Sequence, residues 1–153
     1  MYQKNKQQNN HQYSDKFVSA AIRMLSLSSR VEHYMSSSLK KSQLTLPQFN
    51  VLRVLALNHP NPLVLKELTD KMIDKSSNTS RLVDKLDDKK LVQRQTSSSD
   101  RRIIHISLTE EGLALMAKAN EKLESSIESC LSSGEYTGAE NIIESLQNLQ
   151  NIG

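Results

Sequence analysis

The chain has 153 residues, enough for one domain of ordinary size, and it carries 37% apolar residues, 4% aromatics and no Trp, so its core must be aliphatic and is thin for a lone monomer. Four Gly and three Pro leave few chain breakers, which disfavours turn-dense sandwiches and barrels and favours helices. No apolar run nears the roughly 20 residues of a bilayer span, and the polar start Met1 to Asn10 does not read as an export signal, so a cytoplasmic chain is expected.

The net charge of +3 conceals an asymmetry. Residues 1–108 hold 18 Lys and Arg against 9 Asp and Glu, a balance of +9, whereas residues 109–153 hold 2 against 8, a balance of −6. A basic body facing a polyanion and an acidic remainder with another task account for such a split. The single cysteine, Cys130, excludes an intramolecular disulfide framework.

Residues 1–13 are Gln-, Asn- and Lys-rich without apolar period and read as a polar arm. From Ser14, apolar residues at three- and four-residue spacing (Phe17, Ala20, Ala21, Met24, Leu25, Val31, Met35, Leu39) predict a long amphipathic helix within 14–44. Thr45-Leu46-Pro47-Gln48 is a helix start: Thr45 can accept from backbone amides, Gln48 can reach back, and Pro47 sits where its missing N–H costs little. That second helix stops at Asn58-His59-Pro60-Asn61-Pro62. Leu63 to Leu65 is short and β-compatible, and Lys66 to Lys71 predicts a brief third helix.

Ser76 to Lys89 predicts a fourth helix, its apolar stripe formed by Thr79, Leu82, Val83 and Leu86. Leu91 to Arg94 and Ile103 to Ile106 read as two strands of a hairpin with a polar tip over Gln95 to Arg102. Thr109 is placed to cap a fifth helix, with Glu110 and Glu111 favourable in its first turn. Ser132-Ser133-Gly134 ends it, and a sixth helix carries Tyr136, Ala139, Ile142, Ile143, Leu146 and Leu149. The organisation expected is a 1–13 arm, a helix in 14–44, a lobe at 45–108 and helices in 109–153.

Helix, short strand, helix, turn, helix and β-hairpin is the order of a winged helix-turn-helix, so the fold class is mainly α with a small β-hairpin wing. Such a fold can put a helix into a major groove roughly 12 Å wide and a hairpin against phosphates or the minor groove. The chemistry agrees. The outer face of the fourth helix opens with Ser76, Ser77, Asn78 and Ser80, small enough for close approach to bases, followed by Arg81 and Lys85, and the wing offers Arg101 and Arg102. From Lys71 to Arg102 there are 9 basic against 5 acidic residues. The bland alternative is that Arg81 and Lys85 merely pair with Asp84 and Asp88 on an exposed helix.

Asn78-Thr79-Ser80-Arg81-Leu82-Val83-Asp84-Lys85-Leu86, Leu91-Val92-Gln93-Arg94, Asp100-Arg101-Arg102 and Leu108-Thr109-Glu110-Glu111-Gly112 together resemble the MarR family of bacterial regulators, whose layout fits from about Ser14 to Ile152. The resemblance implies a six-helix homodimer on a pseudo-palindromic double-stranded DNA site, in which the first and the last two helices interlock. Phe17, Met24, Leu123, Ile127, Leu131, Ile142, Ile143, Leu146 and Leu149 would then meet the partner copy. It also implies that Arg102 enters a minor groove, that Asp100 steadies the wing by pairing with nearby arginines, and that a small aromatic or anionic effector bound between dimer region and lobes releases a repressor. One departure stands out: Lys90 occupies the position before the first wing strand where the family commonly has Gly.

Other chemistries are poorly supported. His11, His33, His59 and His105 lack tight metal-ligand spacing, and there is no phosphate loop, nucleophile elbow or convincing triad, so no metal, cofactor or enzymatic activity is expected. Two alternatives to a ligand-released regulator are a winged-helix module that binds only protein, and a redox-responsive regulator using Cys130.

Overall fold

The computed structural model describes residues 16–74, 78–98, 100 and 102–132, the side chains of residues 16 and 130–132 excepted. In chain order the elements are α1 (Lys16–Lys40), α2 (Leu46–Asn58), β1 (Leu63–Val64), α3 (Leu65–Asp70), α4 (Thr79–Asp88), β2 (Val92–Thr96), β3 (Ile104–Leu108) and α5 (Glu110–Ser132). The architecture is mainly helical with one small antiparallel sheet, as the sequence predicts. The 1–13 arm and the sixth helix, with Ile142, Ile143, Leu146 and Leu149, lie outside the described residues.

Helix α2 is the hub, touching α1, α3, α4, α5 and β3. Its start is the expected reciprocal cap: the Gln48 N–H donates to Thr45 Oγ1 at 3.3 Å and the Thr45 N–H to Gln48 Oε1 at 3.1 Å. The Gln48 backbone N–H and side-chain oxygen are thereby both satisfied, which helps a polar residue to be buried beside Phe49, Val51, Leu52, Val54 and Leu55. Around this hub close Leu39 of α1, Leu68 of α3, Val83 and Leu86 of α4, Ile106 of β3 and Ala119 and Leu123 of α5.

Leu123 departs from expectation. It is only 3% exposed within the single chain, so its partners are intramolecular, where α5 packs on α1 and Ser38 and Ser126 hydroxyls meet at 3.2 Å. The opposite holds near the start of α1, where Phe17 is 86% and Met24 71% exposed, with Val18, Ile22 and Leu25 also uncovered.

The sheet has the order β1-β3-β2, so Leu63 and Val64 extend the hairpin into three strands by pairing with Ile106 and His105. Both wing strands begin one residue later than predicted: Ile103 belongs to the wing turn, its N–H donating to Asp100 O, and Leu91 is not a strand residue. It belongs to the corner that ends α4: the Lys90 N–H donates to Asp87 O at 2.7 Å and the Leu91 N–H to Leu86 O at 2.9 Å. This is a Schellman ending with Lys90 at its left-handed position, φ 59°, where glycine is usual. Helix α1 closes the same way on Gln43, φ 54°, and Lys89 Nζ ties the two endings together by donating to Gln43 O at 2.7 Å.

The far end of the wing is welded to that corner. The Thr109 N–H donates to Leu91 O at 3.2 Å, Thr109 Oγ1 donates to Lys90 O at 2.8 Å, and the Gly112 N–H donates to Thr109 Oγ1 at 3.0 Å, which caps α5 as expected. Gly112 is required by close approach rather than by its dihedrals. A Cβ there would overlap the Leu91 carbonyl oxygen and stand 2.8 Å from its carbonyl carbon, backbone that has no room to give.

Two substitutions test this corner with opposite signs in urea unfolding. Gly112→Ala, which would stabilise an ordinary helix, is expected to destabilise by about 1–3 kcal/mol or more. Lys90→Gly is expected to stabilise by up to about 1 kcal/mol through relief of the left-handed backbone. A stabilising Gly112→Ala would contradict the packing described.

Candidate nucleic-acid interface

Helix α4 starts at Thr79, not Ser76. Asn78 lies outside helical geometry at φ −72°, ψ 83°, and its side-chain oxygen accepts from the Arg81 N–H at 3.1 Å. Asn78, expected from sequence among the small residues that let the helix approach the bases, is thus the N-cap, its side-chain oxygen bonded to the helix. Ser76, Ser77 and Arg101 lie outside the described residues. Thr79, Val83 and Leu86 are buried, while Ser80, Arg81, Asp84 and Lys85 are exposed, as the 3.6-residue period requires.

Asp84 does not pair with its helix neighbours. Its Oδ1 is 2.6 Å from Nη2 of Arg94 on β2, so the acid on the outer face of α4 is neutralised by the wing and links the two elements. Arg81 and Lys85 have no ion-pair partner among the described residues, so the bland reading from sequence does not hold. With side chains 29% and 52% exposed, the Arg94–Asp84 pair orients more than it stabilises.

Across the wing, the Ser97 N–H donates to Ile103 O at 2.9 Å and the Ile103 N–H to Asp100 O at 3.0 Å. Asp100 Oδ1 accepts from the Arg102 backbone N–H at 2.9 Å. Asp100 thus shapes the turn through the backbone, as an Asx turn, and among the described residues its carboxylate meets no arginine head group. That leaves the Arg102 guanidinium at the surface, where it lines a concavity of about 340 Å³ with Ser80 of α4, Arg94 of β2, Lys66 of α3 and the apolar Ile103 and Ile104. Ser80 and Arg102, 22 positions apart in sequence, therefore share one surface. Lys66 was not singled out from sequence; its position in the first turn of α3, two residues after β1, is the signal that places it beside the wing.

A family profile described as transcriptional regulator SarA/Rot matches residues 33–119, more than half of the chain. The chain belongs to this family. The SarA/Rot-type chain is similar to the HTH-type transcriptional regulator MhqR of Bacillus subtilis, 31% identical over 86 residues, 56% of this chain and 58% of that protein. It is equally similar to the HTH-type transcriptional repressor MdtR of the same bacterium, 31% identical over 91 residues, 60% of this chain and 57% of that protein. It thus spans a little under three fifths of the length of these curated relatives.

Among solved structures, a MarR transcription factor from Planctomyces limnophilus aligns at TM-score 0.68 and 25% identity over 88% of this chain and 95% of that one. The regulator BldR from Sulfolobus solfataricus shares the fold at TM-score 0.73 and 24% identity, over 91% and 97% of the two chains. This SarA/Rot family member is a transcriptional regulator of the MarR winged-helix type, and its relatives and fold are those of regulators, not enzymes. Among the described residues no helix is long and apolar enough to cross a membrane.

Two measurements check the local geometry. Asn78→Ala is expected to cost about 1 kcal/mol of stability in urea, the usual loss for an N-cap. A double-mutant cycle on Asp84→Ala and Arg94→Ala is expected to give a coupling of about 0.2–1 kcal/mol that shrinks at about 1 M salt; a coupling indifferent to salt would mean that something other than charge joins them.

Proposed function

We propose that the chain is a sequence-specific DNA-binding repressor that acts as a homodimer on a pseudo-palindromic duplex. The observation that carries this reading is the shared surface of Ser80 and Arg102, flanked by Arg81 and Lys85 with no acidic partner among the described residues. On it, the first two turns of α4 enter a major groove and Arg102 reaches the flanking minor groove. Arg94 keeps Asp84 from repelling phosphates, and Lys66 adds a backbone contact.

The second copy covers the apolar start of α1. Phe17, Met24 and their neighbours are too large and too exposed to be incidental in a chain this short of core, and Ile127, half-buried in α5, belongs to the same face by the proposal. Leu131 lies in α5, its side chain outside the described set, as is that of Cys130. Release comes from a small effector in the groove between α1, the start of α2 and the residues after α3. A ligand there acts only by favouring a lobe spacing that no longer matches successive major grooves, roughly 34 Å apart.

Fluorescence anisotropy on the duplex upstream of the chain's own gene tests the reading. Binding is expected to exceed that to random duplex and to fall about 10³–10⁵-fold between roughly 50 and 200 mM salt, as for six to ten phosphate contacts. Arg102→Ala is expected to cost about 1–3 kcal/mol of affinity. Equal, weak binding to both duplexes would favour a winged-helix module that binds only protein. By sedimentation the chain is expected at twice its 17.3 kDa mass, and Phe17→Asp with Met24→Asp at the single-chain mass.

A further inference from the structure

The groove that the proposed function assigns to an effector has a chemistry of its own, and the ligand class inferred for it rests on that assignment. It is an open cavity of about 410 Å³, within the ordinary range for small-molecule sites, between α1, the α2 N-terminus and residues 72–74. Its walls are Val31, Met35, Leu46, Pro47, Met72 and Ile73. Ile73 is exposed although large and apolar, and Met35 and Met72 supply polarisable, adaptable surface. The buried Asn50 carboxamide donates to Met72 Sδ at 3.7 Å, so the floor is softly polar.

The charges at the rim have one sign. Glu32 and Asp74 line the groove, and no Lys, Arg or His does so among the described residues. Asp74 has a contact of its own within the fold, whereas the exposed Glu32 carboxylate has no ion-pair partner among the described residues. An anionic ligand would bring its charge beside the Glu32 carboxylate with no Lys, Arg or His among the described lining residues to offset it, and apolar burial would have to overcome that repulsion. A cation with an apolar body gains on both counts.

We infer that this groove selects lipophilic organic cations, with the apolar body against Met35, Met72 and Ile73 and the charge beside Glu32. The inference opposes the bulk field of the molecule, since a chain of net charge +3 attracts anions in general.

Tetraphenylphosphonium and tetraphenylborate, nearly equal in size and opposite in charge, make the decisive pair of probes in calorimetric titration of the full chain without DNA. The phosphonium is expected to bind at least threefold tighter than the borate. Glu32→Gln is expected to remove that preference and Glu32→Lys to reverse it; Glu32 is exposed, and unchanged circular dichroism and melting temperature confirm that each variant folds. Equal or tighter borate binding to the unaltered chain, no binding of either ion at millimolar concentration, or a preference unmoved by Glu32→Gln overturns the inference. If the phosphonium binds with the stated Glu32 dependence yet leaves affinity for the upstream duplex unchanged, the cation class stands and the release mechanism fails.

Discussion

The backbone of Leu91 is the point on which the lobe turns. Its N–H closes the end of α4, its carbonyl receives the first amide beyond β3, and the next helix can pass only because Gly112 has no side chain. Three elements that are separate in sequence, namely α4, the wing and α5, therefore share one corner made of main-chain contacts. Main-chain corners do not rotate as side-chain contacts do, so α4 and the wing move as one body and carry the start of α5 with them. The strained φ of Lys90 is tolerated because the surrounding hydrogen bonds over-determine it.

Charge is organised around that body. Asp84 would weaken any polyanion-facing surface if left alone, and its pairing with Arg94 both removes the liability and braces the wing against the helix. Lys89 is spent on the ending of α1 and is not available as a surface charge in the same way as Arg81 and Lys85. The acidic balance after residue 108 begins with Glu110 and Glu111 in the first turn of α5, where carboxylates suit the helix dipole. A uniform basic surplus would not have produced this division; it depends on which charges the fold takes out of circulation.

Much of this was legible in the sequence where a signal is local. Thr45 with Gln48 and Thr109 with Gly112 are caps whose partners lie within three residues, and Lys90 in place of glycine marked its own unusual backbone. Signals that depend on distance through space were not legible. Ser76, Ser77 and Asn78 are all able to cap a helix, so periodicity could not say which one does, and Asn78 emerged as the cap only from its bond to Arg81. Amphipathic spacing marks a buried face without naming what buries it. Leu123 and Phe17 look alike in sequence, yet one is covered by its own chain and the other is not. The Arg94–Asp84 bridge, the third strand contributed by Leu63 and Val64, and the carboxylates that rim the α1–α2 groove all arise from tertiary juxtaposition.

If α4 and the wing meet DNA as one body, hydrogen exchange on the full chain bound to its upstream duplex reports it most directly. The account predicts slowed exchange in the first two turns of α4 and across the wing tip together, at the same DNA concentration, with the amides of α2 unchanged. Protection of only one of the two elements, or protection confined to α1 or α5, would contradict it.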